Sequence, residues 1–119
     1  MDKYFPFTIT SVNGALHGSP EHMYQIVADF ESPELAAYTS LFDRYSPAKG
    51  LISLVDIAAL IIESNATELA DHMDFDEEGY VLDMYADSEV AVQEFASVVC
   101  PVFQDIEALE RYVRKIADQ

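Results

Sequence analysis

Apolar and polar residues repeat with two different periods along this chain, and each change of period marks an element. Phe5, Phe7 and Ile9 alternate within a β-branched and aromatic stretch over residues 4–12, which predicts a strand, with Pro6 tolerable near its start or at an edge. Asn13-Gly14 is a two-residue hairpin signal, followed by a short return, Ala15-Leu16-His17, that ends at Gly18-Ser19-Pro20. Residues 22–30 predict the next strand, with Tyr24, Ile26, Ala28 and Phe30 on one face and Gln25, Val27 and Asp29 on the other.

The period then lengthens. Ser32-Pro33-Glu34 is a helix start, with a capping hydroxyl, a proline at the first helical position and a carboxylate in the first turn. Leu35, Tyr38, Phe42 and Tyr45 follow at steps of three and four. Ser46-Pro47-Ala48-Lys49-Gly50 breaks the helix. Residues 51–63 are apolar on nearly every face, which predicts a central buried helix. Ser64-Asn65 is a candidate interruption, and residues 66–71 continue helically.

Alternation returns at Met73 and Phe75, and again at Tyr80, Leu82 and Met84. Between them lie Asp74, Asp76, Glu77, Glu78 and Gly79. This predicts a β-hairpin whose three- to five-residue loop carries the acids and closes on Gly79. Asp87 or Ser88 caps the next helix, which bears Ala91, Phe95, Val98, Val99 and Val102 and is stopped or kinked by Pro101. Asp105 opens the last helix, whose Ile106, Leu109, Val113 and Ile116 form one stripe. The expected fold class is α+β: an antiparallel sheet of N-terminal strands plus the acidic hairpin, covered by about four helices on one face, in a single domain over residues 1–119.

Charge changes the picture most. The chain has 22 acids against 6 Lys and Arg, a net charge of −16, and no Lys or Arg falls between Lys49 and Arg111, where most of the acids lie. Such a field repels nucleic-acid phosphates and anionic lipid, and it attracts basic proteins. Half the residues are hydrophobic, so the chain is no disordered acidic tail. No apolar run reaches the roughly 20 residues of a membrane-spanning helix. The opening Met1-Asp2-Lys3-Tyr4 lacks a signal-peptide layout, and one cysteine excludes an internal disulfide. A cytoplasmic location is expected, with no nucleic acid or membrane among the partners.

Candidate chemistry is sparse. Asp74-x-Asp76-x-Glu78-Gly79 matches the opening of a calcium loop, but the ninth and twelfth positions, Leu82 and Tyr85, supply no ligand. His17, His22 and His72 make no zinc-like pair. Cys100 sits in an apolar run that disfavours a thiolate. No catalytic, cofactor or metal residue is assigned, and a binding protein rather than an enzyme is expected. The candidate partner-binding residues are Asp74, Asp76, Glu77, Glu78, Tyr80, Asp83 and Tyr85, because tyrosine beside carboxylates suits a protein interface.

The order Phe42-Asp43-Arg44-Tyr45, Gly50, an apolar helix, Phe75-Asp76-Glu77-Glu78-Gly79 and Leu109 resembles the immunity proteins of bacterial polymorphic toxin systems, closest to the family catalogued as immunity protein 51. The family's F-D-x-E hairpin stands here as Phe75-Asp76-Glu77-Glu78, and the resemblance covers residues 38–117. The tryptophan that members tend to carry after the glycine is absent. The resemblance implies an α+β domain that neutralises a cognate protein toxin in the cytoplasm, and many such toxins are basic nucleases. Two other readings fit the charge: a DNA-mimic inhibitor, and a small enzyme using carboxylates with His72.

Overall fold

The first strand begins where the proline ends. In the computed structural model, which describes residues 3–12, 24–47 and 50–118, residues 3–6 form a turn closed by the Phe7 N–H on the Tyr4 carbonyl at 2.7 Å. Strand β1 is therefore Thr8–Ser11, shorter than the stretch of residues 4–12, because Pro6 has no N–H to give a ladder. Phe7 turns inward instead, edge-on to Phe95 and Phe103 at 5.0 Å each. The Asn13-Gly14 turn, the return to His17, and His22 lie outside the described residues.

Strand β2 (Tyr24–Asp29) pairs on one side with β1 and on the other with β4 (Val81–Ala86), and β4 pairs with β3 (Met73–Glu78). The four strands run in the order β1-β2-β4-β3, antiparallel throughout, as the α+β expectation requires. Ile26 and Ala28 of β2, Leu82, Met84 and Ala86 of β4, and Met73 of β3 are buried on one face. The helices cover that face.

Three of the five described helices start where a side chain satisfies their first N–H groups. A 3-10 turn, Pro33–Leu35, leads into α1 (Ala36–Tyr45); Ser32 stands at the cap position but its side chain makes no cap bond. Helix α2 is Leu54–Asn65, starting three residues later than the apolar run, because Ser53 supplies the cap by accepting the Asp56 N–H at 3.1 Å. Asn65 ends it, donating to the Ile61 carbonyl at 2.8 Å, and Thr67–His72 continue as a 3-10 turn. Ser88 caps α3 (Glu89–Val98), and Pro101 lies in the first turn of a separate one-turn helix, α4 (Cys100–Phe103). Asp105 accepts from Glu107 and Ala108 to start α5 (Ile106–Ala117). Five described helices thus stand where about four were expected, the addition being α4.

The core centres on Phe30, fully buried, with Phe42, Tyr38 and Phe103 rings 5.2, 5.2 and 5.8 Å away. Each such buried phenylalanine contributes about 1.5–3 kcal/mol. Tyr38 takes its hydroxyl into this core and donates to the Phe103 carbonyl at 2.6 Å, so burial pushes its pKa up without stranding a polar atom. No described helix is long and apolar enough to cross a membrane.

Candidate interaction surface

The acidic run is not a loop. Glu78 and Val81 are paired, so the hairpin closes on two residues, Gly79 and Tyr80, rather than three to five. Gly79 has φ +60° while no described non-glycine residue has positive φ, the pattern of a type II′ turn. The carboxylate of Glu31 clamps this turn, its Oε2 accepting the Tyr80 N–H at 3.0 Å. Phe30 N–H reaches the Tyr80 carbonyl at 3.0 Å, which carries the β2–β4 ladder one step further. Asp74, Asp76, Glu77 and Glu78 therefore occupy β3, an edge strand paired along its length with β4.

Alternation then divides the seven candidate residues. Asp74, Asp76 and Glu78 are exposed on the outer face of β3, and Asp83 and Tyr85 stand half-buried on the same face of β4. Their neighbours there are Gln25, Val27 and Asp29 of β2, Val81 of β4, and Thr8 and Thr10 of β1. One row runs Asp74, Tyr85, Gln25, Thr10; the next runs Asp76, Asp83, Val27, Thr8; a third runs Glu78, Val81, Asp29. Gln25 Nε2 donates to Asp83 at 3.1 Å, which fixes one carboxylate of the face. Asp76 and Asp83 are direct cross-strand partners of like charge. Glu31, Asp76, Glu78, Val81 and Asp83 border an open depression of about 360 Å³.

Two candidates leave this face. Glu77 shares the inner side with Met73 and Phe75, and its carboxylate accepts from Ser53 Oγ and from the Val55 N–H, both at 3.0 Å. It caps α2 from outside the helix, where an anion is favoured by the helix dipole. Tyr80 is buried, and its hydroxyl sits 2.8 Å from both Asp43 Oδ1 and Ser46 Oγ. Burial, and the bond to Asp43, raise its pKa. Both residues hold the hairpin against the helical layer rather than facing a partner. Sequence reasoning missed the β2 contribution, Gln25, Val27 and Asp29, although their alternation with Ile26 and Ala28 had already put them on the non-core side.

Cations gather elsewhere. Arg44 of α1 and Arg111, Arg114 and Lys115 of α5 belong to the helical layer, and no Lys or Arg stands on the described outer face. Tyr45 donates to Glu110 at 2.6 Å and accepts from Arg114 Nε at 2.9 Å, while Arg44 approaches Glu110 at 3.4 Å. The Tyr45 bond and the two guanidinium groups hold the Glu110 carboxyl below its ordinary range. At the far end of the hairpin His72 Nδ1 lies 2.7 Å from Asp87, and the Asp87 N–H reaches the His72 carbonyl at 3.0 Å. That bond, followed by the charges of Asp87, Asp71 and Glu94, raises the His72 pKa; the same bond lowers that of Asp87. Among the described residues no group of three or more His, Cys, Asp and Glu is arranged to hold a metal ion. Cys100 is fully buried.

No family model, curated protein or solved structure matches this chain.

Proposed function

We propose that this chain is a toxin-neutralising inhibitor of the immunity-protein kind, and that it captures a basic protein toxin on the outer face of its sheet. One observation carries the reading. Asp74, Asp76, Glu78 and Asp83 project from paired strands onto one described face that bears no cation, while the arginines belong to the helical layer behind it. Strand pairing fixes the backbone that carries these carboxylates, so little backbone entropy is lost when a cationic partner binds the face. Rim charges of this kind act chiefly on the rate of encounter, and salt screens them. On this reading the protein acts in the cytoplasm and a toxin with a basic nuclease domain fits the charge. The order of residues around Phe75-Asp76-Glu77-Glu78 gives independent support through its resemblance to an immunity-protein motif.

The test is genetic and biochemical. The toxin candidate is the protein encoded by the reading frame next to this one. Its toxic domain is expressed with and without this chain, and the mixture is purified through a tag on the toxin. The reading expects restored growth and a one-to-one complex. A toxin that kills equally in both cases and that does not retain the chain would overturn it.

A further inference from the structure

The helical layer carries a feature that the acidic face leaves unused. Helices α2 and α5 lie side by side and run in opposite directions. Asn65, at the end of α2, donates to the Tyr112 hydroxyl of α5 at 3.1 Å, while Asp56, in the first turn of α2, borders an open depression of about 230 Å³ with Ile116 and Ala117 at the end of α5. Leu51 and Ile52 close the depression on the α2 side. Tyr45 closes it on the α5 side, tied there by its bonds to Glu110 and Arg114. The two sides differ in kind. The α2 side presents Leu51, 51% exposed, beside the carboxylate of Asp56. The α5 side presents the half-buried Tyr45 and Ile116 beside exposed Lys115, whose ammonium lies 5.5 Å from the Tyr112 ring and so on the flank that faces α2.

We infer that a second copy of the chain docks on this seam, across a two-fold axis that runs along the α2–α5 groove. Such an axis lays each side of the depression over the opposite side of the other copy. Leu51 of one copy then packs on Tyr45 and Ile116 of the second, Asp56 of one faces Lys115 of the second, and the symmetry makes every contact twice. One surface carries both halves of the contact, a projecting leucine with a carboxylate and an apolar hollow with an ammonium. That self-complementarity is what an isologous interface requires. An axis set across the groove is disfavoured, because it would bring the α2 sides together, with Asp56 and Glu63 of both copies in apposition.

The seam is narrow. Two 12-residue helices side by side measure about 18 by 20 Å, short of the roughly 800 Å² per partner of a standard interface. The dimer is therefore of the weak, reversible class, and the net charge of −16 on each copy adds to that weakness. Both outer sheet faces stay open in it, because the seam belongs to the helical layer. The association goes beyond the capture of a toxin and does not compete with it.

Sedimentation equilibrium of the natural chain, without any toxin, tests this from about 10 µM to about 1 mM protein at about 0.15 M salt. The inference expects a reversible dimer with a Kd of about 100 µM. Leu51→Asp, at an exposed position, weakens it at least about ten-fold and leaves Tm unchanged. Val90→Asp, at the other exposed large apolar residue among the described ones, changes Kd less than about two-fold. Asp56→Lys and Lys115→Glu each weaken association by setting like charges across the axis, and the double variant returns Kd to within about three-fold of the natural value. That return separates a lost contact from lost folding, and Tm is recorded for every variant. A chain that stays monomeric up to about 1 mM, a dimer indifferent to Leu51→Asp, or a double variant no better than its singles overturns the inference. The toxin takes no part in the measurement, so its result stands apart from the inhibitor reading.

Discussion

Two adjacent residues of β3, Asp76 and Glu77, have opposite effects on stability in this account. Glu77→Ala removes a carboxylate that accepts from Ser53 Oγ and the Val55 N–H at 3.0 Å each, at the start of the central helix α2. Loss of a helix cap costs about 0.5–2 kcal/mol, and a bond to a charged acceptor is at the strong end of the range. The expected loss is about 2 kcal/mol, or roughly 8 °C in Tm for a domain of this size. Glu77→Gln keeps one acceptor oxygen and is expected to lose about half as much. Asp76→Asn removes a like-charge pair across the strands from Asp83 and keeps an oxygen for the Glu77 N–H. It is expected to gain about 0.5 kcal/mol. Urea denaturation followed by circular dichroism gives both values, with the slope m checked for constancy. If Asp76→Asn costs as much as Glu77→Ala, the division of β3 into an outward acidic column and an inward cap is wrong.

Gly79→Ala is expected to lower stability by about 1–3 kcal/mol, since Gly79 has φ +60° and the new Cβ would lie 2.5 Å from Glu31 Oε2; thermal melts of this variant and of Gly79→Asn, which tolerates positive φ better, check it. The His72–Asp87 pair gives a pH dependence. His72 is raised in the folded state, so its contribution is full below the ordinary value of 6.5 and is lost as pH rises through the folded one. Asp87 is lowered, so its contribution is present above 3.8 and lost as pH falls through its folded value. The stability gap between the natural chain and His72→Gln is therefore widest between these limits, near pH 5, and shrinks by pH 8; a gap that grows toward pH 8 contradicts the assignment. Raising salt from about 10 mM to 0.2 M is expected to raise Tm, because screening relieves repulsion among the acids between Lys49 and Arg111, and a flat or falling Tm shows them better paired than the face suggests.

Much of the fold was legible because local signals and the core pattern agreed. The stripe Ile106, Leu109, Val113 and Ile116 and the cap Asp105 both belong to α5, and of the two cap candidates Asp87 and Ser88 it is Ser88 that begins α3. The start of α2 was not legible from the apolar run, since Leu51 and Ile52 precede the residue that caps it; Leu51 is half-exposed. The acidic run read as a loop because Gly79 and its acids resemble turn chemistry, yet the ladder to β4 extends through Glu78. Period two did place Glu77 with Met73 and Phe75, but nothing local announced that the first turn of α2, more than twenty residues earlier, would supply its donors. Tyr80 shows the same limit. Its hydroxyl partners, Asp43 and Ser46, lie far back in the chain, so burial of this residue followed from tertiary packing alone. The outer face was half legible, with the acids visible as a run and the β2 residues that complete it hidden behind the strand order.

The outward acidic column, and not the acidic run as a whole, is the surface proposed to meet the toxin. The direct measurement is growth rescue and association rate for the toxin with Asp74→Asn, Asp76→Asn and Glu78→Gln together, alongside Glu77→Gln alone, each at matched expression. The triple variant is expected to keep a Tm at or above that of the natural chain, to lose rescue and to associate at least about ten-fold more slowly, while Glu77→Gln loses stability and still rescues. A triple variant that protects cells fully and associates at the natural rate contradicts it.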